Sequence, residues 1–174
     1  MVKLAIKILA AVLMIASGYF FGKSLEEKLK ERYETLNKLS LAVYFLKSKI
    51  YTEGFTLPEA LKVTDDKYFK SDKSLFSLAA SEMEKNTDSE TAWISACEKN
   101  EDRVFLKNSD IEILKSAGKL LGSGDSNMQK DNLENLAELL KNATEESEIK
   151  HKKDGALYIK LGLAIGSIVS VIMW

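Results

Sequence analysis

The sequence predicts an all-α protein, a cytoplasmic helical bundle of about six helices set between an N-terminal and a C-terminal transmembrane helix. Three observations carry that reading. One proline and nine glycines in 174 residues leave long stretches free of helix breakers. In the middle, apolar residues recur every three or four positions, the helical period, and no stretch alternates at period two for long. Charged residues crowd between Lys23 and Asp154, which leaves an apolar run at each end. The chain therefore divides into an anchor over 1–22, a helical domain over 23–153 and a second anchor over 154–174.

The C-terminal run sets the organisation. After the basic stretch Lys150 to Lys153 comes ALYIKLGLAIGSIVSVIMW, with Lys160 as its only charge. As a helix it spans roughly 28 Å, the thickness of a bilayer's hydrocarbon core. Lys160 sits one turn inside the basic end, where its ammonium can reach the headgroups, and Trp174 suits the opposite interface. At the N-terminus, Lys3 and Lys7 precede an uncharged run from Ile8 to Gly22. A cleaved signal peptide also begins with basic residues and an apolar core. Here the apolar run continues through Tyr19, Phe20 and Phe21, past the small residues Ala16 and Gly18, which favours a retained anchor.

Gly18 and Gly22 are four apart in the first anchor, and Gly162 and Gly166 are four apart in the second. That spacing gives a flat stripe on which another helix can pack closely. The partner helix is either the chain's own second anchor or another subunit, so a homo-oligomer is also open. Lys23, Lys28, Lys30, Arg32, Lys150, Lys152 and Lys153 flank the anchors on the domain side, against Lys3 and Lys7 outside. The excess of basic residues places the middle domain in the cytoplasm.

The domain opens with an amphipathic helix in which Leu25, Leu29, Tyr33, Leu36, Leu39, Val43, Leu46 and Ile50 step by three or four. Gly54 ends it, and Thr56 with Glu59 forms a capping box for the second helix, whose Pro58 is tolerated in the first turn. Asp72 is placed to cap a third helix, Asp88 or Ser89 a fourth, and Ser109 with Glu112 a fifth. Gly122 and Gly124 close the fifth, and Ser126 with Gln129 opens the last.

Little chemistry is encoded. Twenty-five Lys and Arg against 26 Asp and Glu give no field for nucleic acid. One cysteine, Cys97, and one histidine, His151, exclude a disulfide framework and an ordinary Cys/His zinc site. The Gly122-Ser123-Gly124 turn lacks the glycine and Lys-Ser/Thr pair of a phosphate loop. No cofactor is expected.

Three blocks carry a resemblance to a family. In LKSKIYTEGFTLPEAL, Leu57, Pro58, Glu59 and Ala60 match a Leu-Pro-Glu-Ala motif. In SDIEILKSAGKLLGSGDSNMQ, Asp110, Leu114, Gly118, Leu121, Gly122, Asp125 and Gln129 hold the family spacing. In KKDGALYIKLGLAIG, Lys153, Gly155, Tyr158, Leu161, Gly162 and Gly166 match. The chain resembles the stage III sporulation protein AB family over its whole length. Lys49 departs from it, standing where the family usually has an acidic residue, and the Thr-Pro ahead of Leu57 is absent.

The resemblance implies a helical bundle similar to the cytoplasmic domains of the inner-membrane F protein of type II secretion. It implies a non-enzymatic membrane subunit of the sporulation channel complex between mother cell and forespore, lying in the mother-cell membrane. The partners implied are a cytoplasmic ATPase and the complex's other membrane subunits. Glu59, Asp110 and Asp125 are then candidate partner-binding residues. The alternative is a membrane-anchored enzyme or lipid-surface scaffold that gathers those carboxylates in one acidic pocket.

Overall fold

The computed structural model describes residues 2–121 and 126–172. Its elements are α1 (Val2–Tyr51), α2 (Leu57–Tyr68), α3 (Leu75–Glu84), α4 (Ser89–Lys99), a short 3-10 turn (Glu101–Phe105), α5 (Asn108–Leu121) and α6 (Ser126–Ile172). No strand occurs among the described residues, and the all-helical class is as the sequence predicts. The two apolar segments do not end where the amphipathic ones begin. α1 runs through Gly22 and α6 through Gly155 without interruption. Neither join holds a proline, and a lone glycine costs a helix only about 1 kcal/mol.

The chain divides into two compact units: residues 1–33 with 146–174, and residues 34–145. The core of the second is built by Leu36, Leu39, Val43 and Leu46 from α1, Leu61 from α2, Phe76 from α3, Trp93 from α4, Leu114 from α5 and Leu133, Leu136 and Leu140 from α6. All are buried, as the three-and-four spacing requires. α3 packs on α2 and α4, and α4 on α5. Trp93 lies at the centre, fully buried. Its indole Nε1 donates to the Leu114 carbonyl at 2.7 Å, and its ring meets Phe76 edge-on at 6.0 Å. Gly118 lets α5 settle there: a β-carbon on it would lie 3.2 Å from Trp93 Cδ1 and 3.1 Å from Ile94 Cγ1.

The helix starts follow local chemistry, with two shifts from the sequence reading. Thr56 begins α2 as expected, its backbone N–H donating to Glu59 Oε2 at 3.1 Å. Gly54, at φ +76°, makes the reversal that precedes it. Asp88 caps α4, accepting the Thr91 N–H at 3.0 Å. α3 is capped by Ser74 rather than Asp72: the buried Ser74 hydroxyl accepts the Ser77 N–H at 3.0 Å and donates to the Asp65 carboxylate. Asp72 stays exposed in the preceding turn. α5 starts two residues before the Ser109 box. The Lys107 carbonyl takes its first helical bond, and Asp110 reaches back to the Lys107 N–H at 2.9 Å. Asp110 thus does what Glu112 was expected to do, because it sits on the buried side of the turn and Glu112 does not. Gly122, Gly124, Asp125 and Trp174 lie outside the described residues, as do the side chains of Ser126 and Gln129.

Candidate functional site

Two places stand out. The first is the seam of the unit formed by residues 1–33 and 146–174. There the two apolar segments lie antiparallel with their glycines face to face. A β-carbon on Gly18 would stand 2.3 Å from the Gly162 carbonyl oxygen, and one on Gly162 would stand 2.2 Å from that of Gly18. A β-carbon on Gly22 would stand 2.4 Å from the Tyr158 carbonyl oxygen, and one on Gly166 2.8 Å from that of Met14. All four obstacles are backbone atoms, which cannot rotate away. Outside the seam the apolar side chains point outward: Leu9, Leu13, Phe20, Ile165 and Ile168 are each about 60–70 % exposed. Both helices are long and apolar enough to cross a membrane, and the apolar window of the first is not buried at all.

Polar residues close the seam just beyond the apolar segments. Gly155 leaves room for the Glu26 side chain, whose Cγ would be 3.1 Å from a β-carbon there. Glu26 pairs with Lys23 at 2.6 Å and lies 3.9 Å from His151 Nδ1. The hydrogen bond from Lys23 holds the Glu26 carboxyl below the usual carboxylate range. The Tyr33 ring stacks parallel on His151, 6.5 Å away.

The second place is a cavity of about 290 Å³ in the unit of residues 34–145, lined by Tyr44, Lys47, Ser48, Tyr51, Thr52 and Lys130. The sequence reading missed it. The heptad-like run of α1 explains its buried face and says nothing of the opposite one. The signal available was the mixture of lysine and hydroxyl residues in YFLKSKIYT.

Of the acidic residues singled out from sequence, neither Glu59 nor Asp110 lines it, and Asp125 lies outside the described residues. Glu59 is exposed, and its carboxylate takes the Thr56 hydroxyl at 2.6 Å and the Thr56 N–H. Those two bonds, the hydroxyl first, hold it below the usual range. Asp110 is 1 % exposed and belongs to the start of α5. We expect Asp110→Ala to lower thermal stability by about 1–2 kcal/mol and leave the affinity of the folded protein for its partners unchanged. Weaker binding at unchanged stability would restore Asp110 to a docking role.

The model of the family described as stage III sporulation protein AB matches residues 7–174. The chain belongs to that family. A family relative, "Stage III sporulation protein AB" of Bacillus subtilis (strain 168), is 24% identical over 169 residues, 97% of this chain and 99% of its own length. A solved structure titled with the same protein name superposes with a TM-score of 0.61 at 24% identity. It covers 69% of this chain and 95% of its own. At that identity the superposition supports the helical fold alone.

The match places this chain among sporulation proteins. Two of the family blocks have a physical basis in the fold: Gly118 admits the Trp93 ring, and Gly155, Gly162 and Gly166 let α6 approach α1. Among the described residues no group of three or more His, Cys, Asp or Glu side chains is placed to hold a metal. Burial pushes the Cys97 thiol up to about 12, so it carries no thiolate at neutral pH.

Proposed function

We propose that this protein is a non-enzymatic membrane subunit of the sporulation channel complex between mother cell and forespore. Its two anchors cross the mother-cell membrane side by side. Its helical unit stands in the cytoplasm as a platform for an ATPase and the complex's other membrane subunits. The observation that carries the reading is the glycine seam: two outward-apolar helices packed backbone to backbone, at opposite ends of a chain of a sporulation family. A soluble domain would bury those faces; a bilayer solvates them. Glu59 and Asp110 both sit at helix starts, where a carboxylate favours the positive end of the dipole. That supports a structural role for them over an acidic catalytic pocket. Asp125 remains the candidate for a docking acid.

Topology tests the proposal. A reporter active only in the cytoplasm should be active when inserted between Gly122 and Gly124, and inactive when fused after Trp174. The opposite pattern would refute the orientation. Affinity purification of the tagged chain from sporulating cells should recover the ATPase and membrane subunits; recovery of neither would refute the platform role.

A further inference from the structure

The cavity at the end of α1 has the chemistry of a receptor. Among the described residues its lining holds two ammonium groups, Lys47 and Lys130, four hydroxyls, and no carboxylate. The Tyr51 hydroxyl is buried without a hydrogen-bond partner. A phenol so placed lacks an acceptor, and burial, then the nearby Asp131, keeps it protonated. Lys47 is paired with Glu134 at 2.8 Å, which leaves Lys130 as the lining's cation for an incoming anion, with Asp131 near Tyr51 offsetting part of its charge. One charge matches a carboxylate better than a doubly charged phosphate.

The surface beside the cavity extends the pattern. Leu41 and Tyr44 are 48% and 44% exposed on the face of α1 turned from the core. On its far flank, Lys67 stands over the Phe45 ring at 3.9 Å and Lys38 over Phe69 at 4.1 Å. A lysine held over a ring keeps N–H groups free to face an anion. Asp102, half-buried near Lys38, offsets part of that charge. The result is a short apolar strip, Leu41 and Tyr44, with the Lys130 ammonium on one side and those of Lys38 and Lys67 on the other, an arrangement that suits an amphipathic acidic segment.

We propose that this face of α1 docks an acidic helical segment of a protein partner, and that the cavity receives one of its carboxylates, bound by the Tyr51 hydroxyl and the Lys130 ammonium. The inference rests on the platform reading above and names the chemistry of one partner.

The test uses the full chain in detergent micelles and a fluorescent amphipathic helical peptide with leucine on one face and glutamate on the other. A twin peptide carries glutamine for glutamate. The glutamate peptide should bind, and the twin should bind at least about tenfold more weakly. Tyr51→Phe should weaken binding about fivefold or more without any loss of thermal stability, and Lys130→Glu should weaken it about tenfold with the fold retained. Lys141→Glu, remote in sequence from the cavity lining, should have no effect. No binding by the wild-type chain, equal binding of the twin, indifference to Tyr51→Phe and Lys130→Glu, or an equal loss with Lys141→Glu would each overturn the proposal. So would binding of inorganic phosphate in place of the peptide. If the peptide fails while the wild-type chain still co-purifies with membrane subunits from sporulating cells, the cavity assignment falls and the platform reading stands.

Discussion

Trp93→Ala is expected to destabilise the protein by about 3–5 kcal/mol, the range for removing a buried aromatic side chain. Three losses combine. The fully buried indole leaves a cavity between α3, α4 and α5. Its edge contact with Phe76 disappears. Its hydrogen bond to the Leu114 carbonyl is broken inside the core, where no solvent replaces it. Trp93→Phe separates these contributions: it fills most of the space and removes the N–H, so it should cost clearly less than the alanine variant. Thermal or urea unfolding of the full chain in micelles measures both. A loss below about 1 kcal/mol for the alanine variant would mean the ring is not a core anchor. Gly118→Ala offers an independent check on the same contact. The atoms a new β-carbon would meet, Trp93 Cδ1 and Ile94 Cγ1, belong to side chains confined by that core.

Helix content and core membership were legible because period and burial have the same cause. Each of Leu36, Leu39, Val43 and Leu46 falls on one face at helical spacing, and each is buried. Helix starts were legible only where a single residue could serve. Thr56 had no competitor and Asp88 only its neighbour Ser89, whereas the α3 and α5 starts offered several polar residues, and burial chose among them. Ser74 wins over Asp72 because its hydroxyl also meets the buried Asp65. Lys70 and Asn86 were not foreseen. They take positive φ of 55° and 64° at the ends of α2 and α3, where glycine is the usual sign. The cavity was legible only on its α1 side, in the lysine and hydroxyl residues from Tyr44 to Thr52. Lys130 lies 79 positions from Tyr51, and periodicity reports faces, not which faces meet.

Gly162→Leu is expected to separate the two apolar helices, at a cost above about 3 kcal/mol, the upper end for an overpacked core. The reason is the identity of the obstructing atom. A β-carbon at this position would come within 2.2 Å of the Gly18 carbonyl oxygen, so relief requires the helix axes to move apart and gives up contacts along the whole seam. Gly18→Leu meets the mirror obstacle and should act alike. Gly155→Ala is the contrasting case: its nearest neighbour is Glu26 Cγ at 3.1 Å, the stem of a flexible side chain, and it should cost less than about 1 kcal/mol. Pairing can be followed by excimer emission from pyrene labels on Tyr33→Cys and His151→Cys in a Cys97→Ala background, since those two rings stack 6.5 Å apart. Emission should persist with Gly155→Ala and fall with Gly162→Leu, independently of protein concentration, because both labels sit on one chain. Emission that instead rose with concentration and disappeared on dilution would mean that the glycines pack against a second copy. Retained emission and stability in Gly162→Leu would show that the seam does not hold the helices together.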